Sequence, residues 1–236
     1  MSITWNGTAS DSLGIVVEKY PSLDRPRRKA DIFSIPGRSG DVVVQYDAFD
    51  NYTQPYEIFA GGDTDGNAET AFVDVATWLY QDGYCQLEDS SEPGYYRMAY
   101  YNGPMNVKNL MTRYGRCTVQ FVCMPFRYMT SVSDITLTSS GTVTNPCDFA
   151  SCPLLKIEGD GEFEINGSVV TVSPHSHAYL YLDCDSQQAY FDAETPMGEY
   201  VGIDGEFPKL LPGANTITIT DASISKITIS PRWRTL

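Results

Sequence analysis

Thr216-Ile217-Thr218-Ile219-Thr220 and Ile227-Thr228-Ile229-Ser230 decide the fold class of this chain. Each stretch alternates with period two, so each has one apolar and one polar face, the pattern of a half-buried antiparallel strand. Six residues, Asp221 to Lys226, join them, which predicts a hairpin. The chain then runs Pro231-Arg232-Trp233-Arg234-Thr235-Leu236. A chain end is usually polar and frayed. An end built on Pro231, Arg232, Trp233 and Arg234 therefore predicts a docked block.

Working back from this end, short strand-like runs recur at Leu155 to Ile157, Glu162 to Ile165, Val169 to Val172, Ala178 to Asp183 and Gln188 to Asp192. Turn residues separate them at about ten-residue spacing, which argues for a β-sandwich over residues 153–236. Residues 131–152 change character. They are rich in Ser and Thr, carry the breaker Asn145-Pro146, and read as a linker with at most one strand, Asp134 to Leu137.

Residues 1–130 read as a second body of strands with one helix. Lys29 to Ile35 and Val42 to Tyr46 are strand-like, and Ile35-Pro36-Gly37-Arg38-Ser39-Gly40 lies at their junction. Pro before Gly suits the two central positions of a type II turn, where Gly supplies positive φ. Further strands are expected at Tyr52 to Ala60, Tyr84 to Glu88, Tyr95 to Tyr101, Met105 to Met111 and Arg116 to Met124. Phe72, Val75, Ala76 and Leu79 fall at i, i+3, i+4 and i+7, an apolar helical stripe expected to face a sheet. Asp65 or Asn67 can cap that helix, and Gly83 follows its end. The fold class is therefore mainly β, with one α-helix.

The charge balance is 16 basic against 30 acidic residues, a net of −14. Neutralising nucleic-acid phosphates requires clustered Lys and Arg. The one basic cluster, Arg25, Arg27, Arg28 and Lys29, is bracketed by Asp24 and Asp31 and reads as a solvated or subunit-contact loop. No run approaches the roughly 20 apolar residues of a membrane helix. The start, Met1-Ser2-Ile3-Thr4-Trp5-Asn6, lacks the pattern of a signal peptide, so folding in a reducing cytosol is expected. The six cysteines are then expected as thiols. Cys117 and Cys123 share one face of a strand, and Cys147 and Cys152 are the pair best placed for a bridge. Closing so short a loop would add only about 2 kcal/mol.

Chemistry-bearing patterns are weak. His175 and His177, the only histidines, follow Pro174 and read as exposed loop residues, with a metal pair as the alternative. Asp63-Thr64-Asp65-Gly66-Asn67-Ala68-Glu69 alternates oxygen ligands like a calcium loop, but Ala68 stands where that loop needs Gly. Glu158, Asp160, Glu162 and Glu164 read as a solvated acidic face, and Gly159-Asp160-Gly161 lacks a phosphate-loop pattern. No nucleophile motif accompanies them, so no enzyme and no cofactor or metal is expected. Tyr179 and Tyr181 share one strand face, both core or both exposed, and apolar neighbours favour core. If exposed, Tyr179, Tyr181, Tyr190 and Trp233 are candidate saccharide contacts.

The chain resembles the distal tail proteins of long-tailed bacteriophages along nearly its full length. Asp11-Ser12-Leu13-Gly14-Ile15-Val16, Ile35-Pro36-Gly37-Arg38-Ser39-Gly40-Asp41, Gly141 to Asn145 with Pro153 to Gly161, Tyr179 to Asp183 with Ala189-Tyr190, and the block Phe207 to Leu236 follow the order of that family's motifs. The resemblance implies a tail-tube-like N-terminal domain (1–130) that forms a homo-hexameric ring. It implies a galectin-like or carbohydrate-binding-module-like C-terminal domain (153–236). The implied role is a virion hub at the tail tip, made in the host cytoplasm. Its implied partners are the tail tube protein, a tail-tip or tail-fibre protein, a receptor-binding protein and, in the alternative, cell-wall saccharide. DNA would pass through the lumen without specific binding, past an acidic surface that repels phosphate.

Overall fold

The computed structural model describes residues 1–19, 22, 24–61, 68–111 and 114–236. Two compact units result: Met1–Arg127 with Leu236, and Tyr128–Thr235.

The first unit is built on one sheet in the order Thr8–Ala9, Ile3–Trp5, Cys85–Asp89, Tyr95–Tyr101, Tyr114–Met129, Tyr52–Gly61, Val16–Val17, and Lys108–Met111 also pairs with Tyr114–Met129. Period-two alternation sets its inner face. Tyr56, Ile58 and Ala60 on one strand meet Cys117, Val119, Phe121 and Cys123 on its antiparallel neighbour, and all are buried. The helix Ala68–Leu79 covers this face with Phe72, Val75, Trp78 and Leu79, while Ala76 is half-buried. Trp78 lies outside the stripe read from sequence. It earns its burial by donating its indole N–H to Thr8 O at 3.2 Å, as Trp5 donates to Leu79 O at 3.3 Å. The expected cap residues Asp65 and Asn67, and the calcium-like run around them, lie outside the described residues. Pro55 pairs with Gln120 in Tyr114–Met129, while Val16–Val17 pairs with Phe59 and Ile58 further along the same strand.

The second unit is an antiparallel sandwich. One sheet runs Ile135–Leu137, Lys226–Ser230, Leu154–Glu158, Leu180–Asp183, Gln188–Asp192, Thr195–Pro196, and the other runs Gly141–Asn145, Gly213–Ile219, Gly161–Ile165, Ser168–Val172, Val201–Asp204. Leu155, Ile157, Leu180, Ile227 and Ile229 from the first sheet share one core with Phe163, Ile165, Val170, Val172 and Ile217 from the second.

Two expectations are corrected here. Gly213–Ile219 and Lys226–Ser230 do not form a hairpin. The former pairs with Gly141–Asn145 and Gly161–Ile165, the latter with Ile135–Leu137 and Leu154–Glu158, so they sit in opposite sheets. The connector crosses the end of the sandwich with Ile224 buried beneath it. It rests on Gly159 and Gly161: a Cβ on Gly159 would lie 2.1 Å from Ser223 O, and one on Gly161 would lie 2.6 Å from Asp221 Cβ. The close approach of two backbones is what that Gly-Asp-Gly run serves. Residues 131–152 are likewise no linker, because Ile135–Leu137 and Gly141–Asn145 add one strand to each sheet. Their Thr-rich alternation is that of edge strands.

Candidate functional site

The feature of the first unit that its own core does not explain is a free hairpin. Arg28–Phe33 and Val42–Phe49 pair antiparallel as a separate two-stranded sheet, in register Ile32↔Val43 and Phe33↔Val42. Pro36 and Gly37 occupy the centre of its terminal turn: Arg38 N–H donates to Ile35 O at 3.1 Å, and Gly37 has φ 83°. Directly paired residues share a face, so Ile32 and Val43 lie on one side and Phe33, Val42 and Val44 on the other. Ile32 is 60% exposed, Phe33 53%, Val43 52% and Ile35 45%. At the base, Arg28 donates from Nε to Tyr46 O at 2.9 Å. The Tyr46 hydroxyl donates to Asp31, which holds its pKa above the usual phenol value.

The C-terminal block is fixed within the second unit. Trp233 is buried in the sandwich core, and its carbonyl accepts from Met129 N–H at 3.0 Å. This corrects its candidacy as a saccharide contact: only 6% of it is exposed, and its ring serves packing. Arg232, with φ 53°, grips Asp183 through both carboxylate oxygens at 2.7 and 3.0 Å. Arg234 donates from Nε to Ala150 O at 2.6 Å. Burial opposes the Asp183 charge, but the Arg232 fork and the N–H groups of Asp185 and Ser186 outweigh it, so the Asp183 carboxyl titrates below its ordinary value.

The other two tyrosine expectations also change. Leu180 and Leu182 point into the core, so Tyr179 and Tyr181 lie half-buried on the outer face of the sheet rather than in the core. Neighbouring rings stand 5.4 Å apart for Tyr179 and Tyr181, 5.5 Å for Tyr181 and Tyr190, and 4.9 Å for Tyr179 and Phe191. Lys156 Nζ caps Tyr179 at 4.0 Å. The histidines, read as exposed, extend this row: His177 stacks on Phe191 at 4.3 Å, and His175 lies 6.0 Å from Tyr200. At the Tyr190 end a cavity of about 750 Å³ is lined by Gln187, Gln188, Tyr190 and Asp192.

Among the described residues, no group of three or more His, Cys, Asp and Glu side chains is placed to hold a metal. The described cysteines are free. Burial pushes Cys117 up to about 11 and Cys123 and Cys184 up to about 12. Thiols so disfavoured as thiolates are packing residues rather than nucleophiles. Glu158, within the acidic run, pairs with Lys226 at 2.7 Å.

The fold is shared with the SPP1 Dit protein. The match has a TM-score of 0.73 and covers 100% of this chain and 99% of that one at 15% identity. That protein is described as a paradigm of the hub adsorption apparatus in phages infecting Gram-positive bacteria. The phage p2 baseplate in its activated conformation also aligns, with a TM-score of 0.48 at 8% identity, over 92% of this chain and 90% of that one. Nothing further rests on a similarity that low. No protein-family model matches the sequence, and no curated protein matches it.

Sequence patterning alone did not single out the hairpin as unpartnered. The signal was present in Ile32-Phe33 and Val42-Val43-Val44, where consecutive apolar residues put apolar groups on both faces.

Proposed function

We propose that this chain is a structural virion protein, a distal tail protein that forms a hexameric hub at the phage tail tip. In this role the first unit forms the ring, the second unit serves host adsorption, and the hub joins the tail tube to tail-tip and receptor-binding proteins. The end-to-end fold match to the SPP1 Dit protein carries the reading, since it spans both units in one chain. The free hairpin supports it. A two-stranded ribbon exposing apolar groups on both faces is marginal in water by itself and calls for a partner surface. The net charge of −14 suits a channel along which DNA slides without adhering.

Mass measurement in dilute solution, at low and high salt, together with negative-stain imaging tests this proposal. The expected result is a closed six-membered ring with a central opening. A monomer under every condition, including salt that screens self-repulsion, would refute it.

The alternative is a saccharide-binding module. The aromatic row ending at the Tyr190 cavity favours it, because a ring beside amide and carboxylate groups is a usual way to hold a polar ligand with apolar faces. Retention of the protein on purified cell-wall glycan, lost on Tyr190→Ala, would support this second role. Equal elution of wild type and variant would remove it.

A further inference from the structure

We propose that Asn102 is a site of spontaneous covalent modification. Its side chain closes on the Gly103 nitrogen and reopens as aspartate or isoaspartate, while the fold holds the chain's other two Asn-Gly pairs against the same reaction.

The chemistry needs only water as co-reactant. The Gly103 backbone nitrogen, on losing its proton, attacks Asn102 Cγ. The new N–C bond forms, the Cγ–Nδ2 bond breaks, and ammonia leaves. Water then opens the five-membered imide at either carbonyl. One opening gives aspartate. The other gives isoaspartate, whose main chain runs through the side-chain carbon. Glycine favours the first step because no side chain shields its nitrogen.

The three pairs are Asn6-Gly7, Asn102-Gly103 and Asn166-Gly167, and all three asparagines are exposed. Neighbour and exposure therefore do not separate them, but conformation does. Asn6-Gly7 is the two-residue turn between the paired residues Trp5 and Thr8, and Asn166-Gly167 is the turn between Ile165 and Ser168. Their φ values are 48° and 78° in the first and 50° and 92° in the second, the positive pair that a tight hairpin selects. The main-chain N–H groups are also engaged, Asn6 with Gln86 O at 2.9 Å and Asn166 with Thr216 O at 3.2 Å. Asn6 Nδ2 donates to Gln81 Oε1 at 3.1 Å. Asn166 Nδ2 donates to Lys209 O at 3.1 Å and to Asn215 Oδ1 at 2.6 Å, and its Oδ1 accepts from Thr216 N–H at 3.1 Å. Swinging Cγ onto the glycine nitrogen must break these contacts.

Asn102 has none of them. It lies in the connection between Tyr95–Tyr101 and Lys108–Met111, and neither it nor Gly103 takes positive φ. Among the described residues, no hydrogen bond holds its side chain. The product alters a built region. Tyr80 donates its hydroxyl to Gly103 O at 3.4 Å, and isoaspartate lengthens the main chain by one carbon just before that carbonyl. Gly103 also lines a cavity of about 550 Å³ with Lys108 and Arg116, so the new negative charge arises one residue away from it.

Ageing the full chain in mildly alkaline buffer, followed by digestion and mass mapping, tests this. The readout is the gain of one dalton at each site over time, with aspartate and isoaspartate peptides separated by chromatography. Each neutral hydrogen bond to be broken slows ring closure about fivefold. Asn102 should therefore react first, Asn6 about fivefold behind it, and Asn166, with three side-chain bonds, about a hundredfold behind. In urea the three sites should react at one rate. Gly103→Ala is compatible with the fold, since the new Cβ would lie 3.7 Å from the Tyr101 ring. It should slow the reaction at Asn102 alone. Equal rates at the three sites in the folded protein, a ranking that persists in urea, or an unchanged Asn102 rate in Gly103→Ala would each overturn the proposal.

Discussion

Replacing Arg232 by Ala tests one of the bonds that tie the C-terminal block to the second unit. Arg232 meets both oxygens of Asp183, and the two side chains are 31% and 13% exposed. Ala is the right replacement because Arg232 has φ 53°, where Gly would gain by relaxing the backbone and mask the loss. Removing one partner of a fully buried ion pair costs about 3–5 kcal/mol. Here the loss is smaller, because Asp183 Oδ1 keeps the N–H groups of Asp185 at 3.0 Å and Ser186 at 3.3 Å, so only Oδ2 is stripped. A hydrogen bond to a charged group contributes about 1.5–3 kcal/mol, and partial exposure argues for the lower end, about 1.5–2. The pH dependence follows from the depressed Asp183 pKa. Its stabilising contribution is complete above the unfolded carboxyl value of about 3.9 and disappears as pH falls through the lower folded value. The variant should therefore be weaker than wild type in urea at pH 7, and the two should converge on acidification. A difference within about 0.5 kcal/mol at pH 7, the range of an ordinary surface change, would refute the reasoning. So would a difference that persists unchanged below the folded pKa of Asp183.

Leu79→Ala should cost about 2–5 kcal/mol in chemical denaturation, since Leu79 is wholly buried between helix and sheet, and an unshifted midpoint would remove that packing role. Gly159→Ala should prevent the crossover from closing, because the new Cβ would overlap Ser223 O and φ is 102°, and a normal melting curve would show that the connector has another support. Gly37→Val should destabilise the hairpin turn at φ 83° and reduce assembly with little change in far-UV circular dichroism, and unaltered ring formation would contradict this. Cys117, Cys123 and Cys184 should resist a thiol reagent at pH 8 until the protein is unfolded, given pKa values raised to about 11, 12 and 12, and rapid labelling in the native state would refute their burial.

Local patterning decided which side of each strand is buried, but not which strand lies beside it. Ile217, Ile227 and Ile229 face the core as period-two alternation requires. The same alternation is satisfied whether their strands share a sheet or face each other across the sandwich, and six connecting residues permit both. What separates the two arrangements is a contact distant in sequence, the seating of Ser223 and Asp221 on Gly159 and Gly161. Side-chain chemistry was a better guide at the C-terminal block, where Trp supplies apolar area and Arg finds one of many carboxylates. It was a poorer guide at Tyr179 and Tyr181. Tyr accepts an outer sheet face as readily as a core, and their neighbours Leu180 and Leu182 took the core positions.

The free hairpin turns this limit into information. In Tyr52–Gly61 the buried residues alternate with half-buried ones, because that strand has one face on the core of its own unit. Arg28–Phe33 and Val42–Phe49 instead carry adjacent apolar residues, a pattern suited to burial on both faces. In the outer hairpin Ile32, Phe33, Val43 and Val44 stay 44–60% exposed. Leaving Ile32, Phe33, Val43 and Val44 in water costs stability and solubility that a self-sufficient domain would avoid. Such a sequence is patterned for a core that the described residues of its own unit do not complete, which is what the proposed hub reading requires of it.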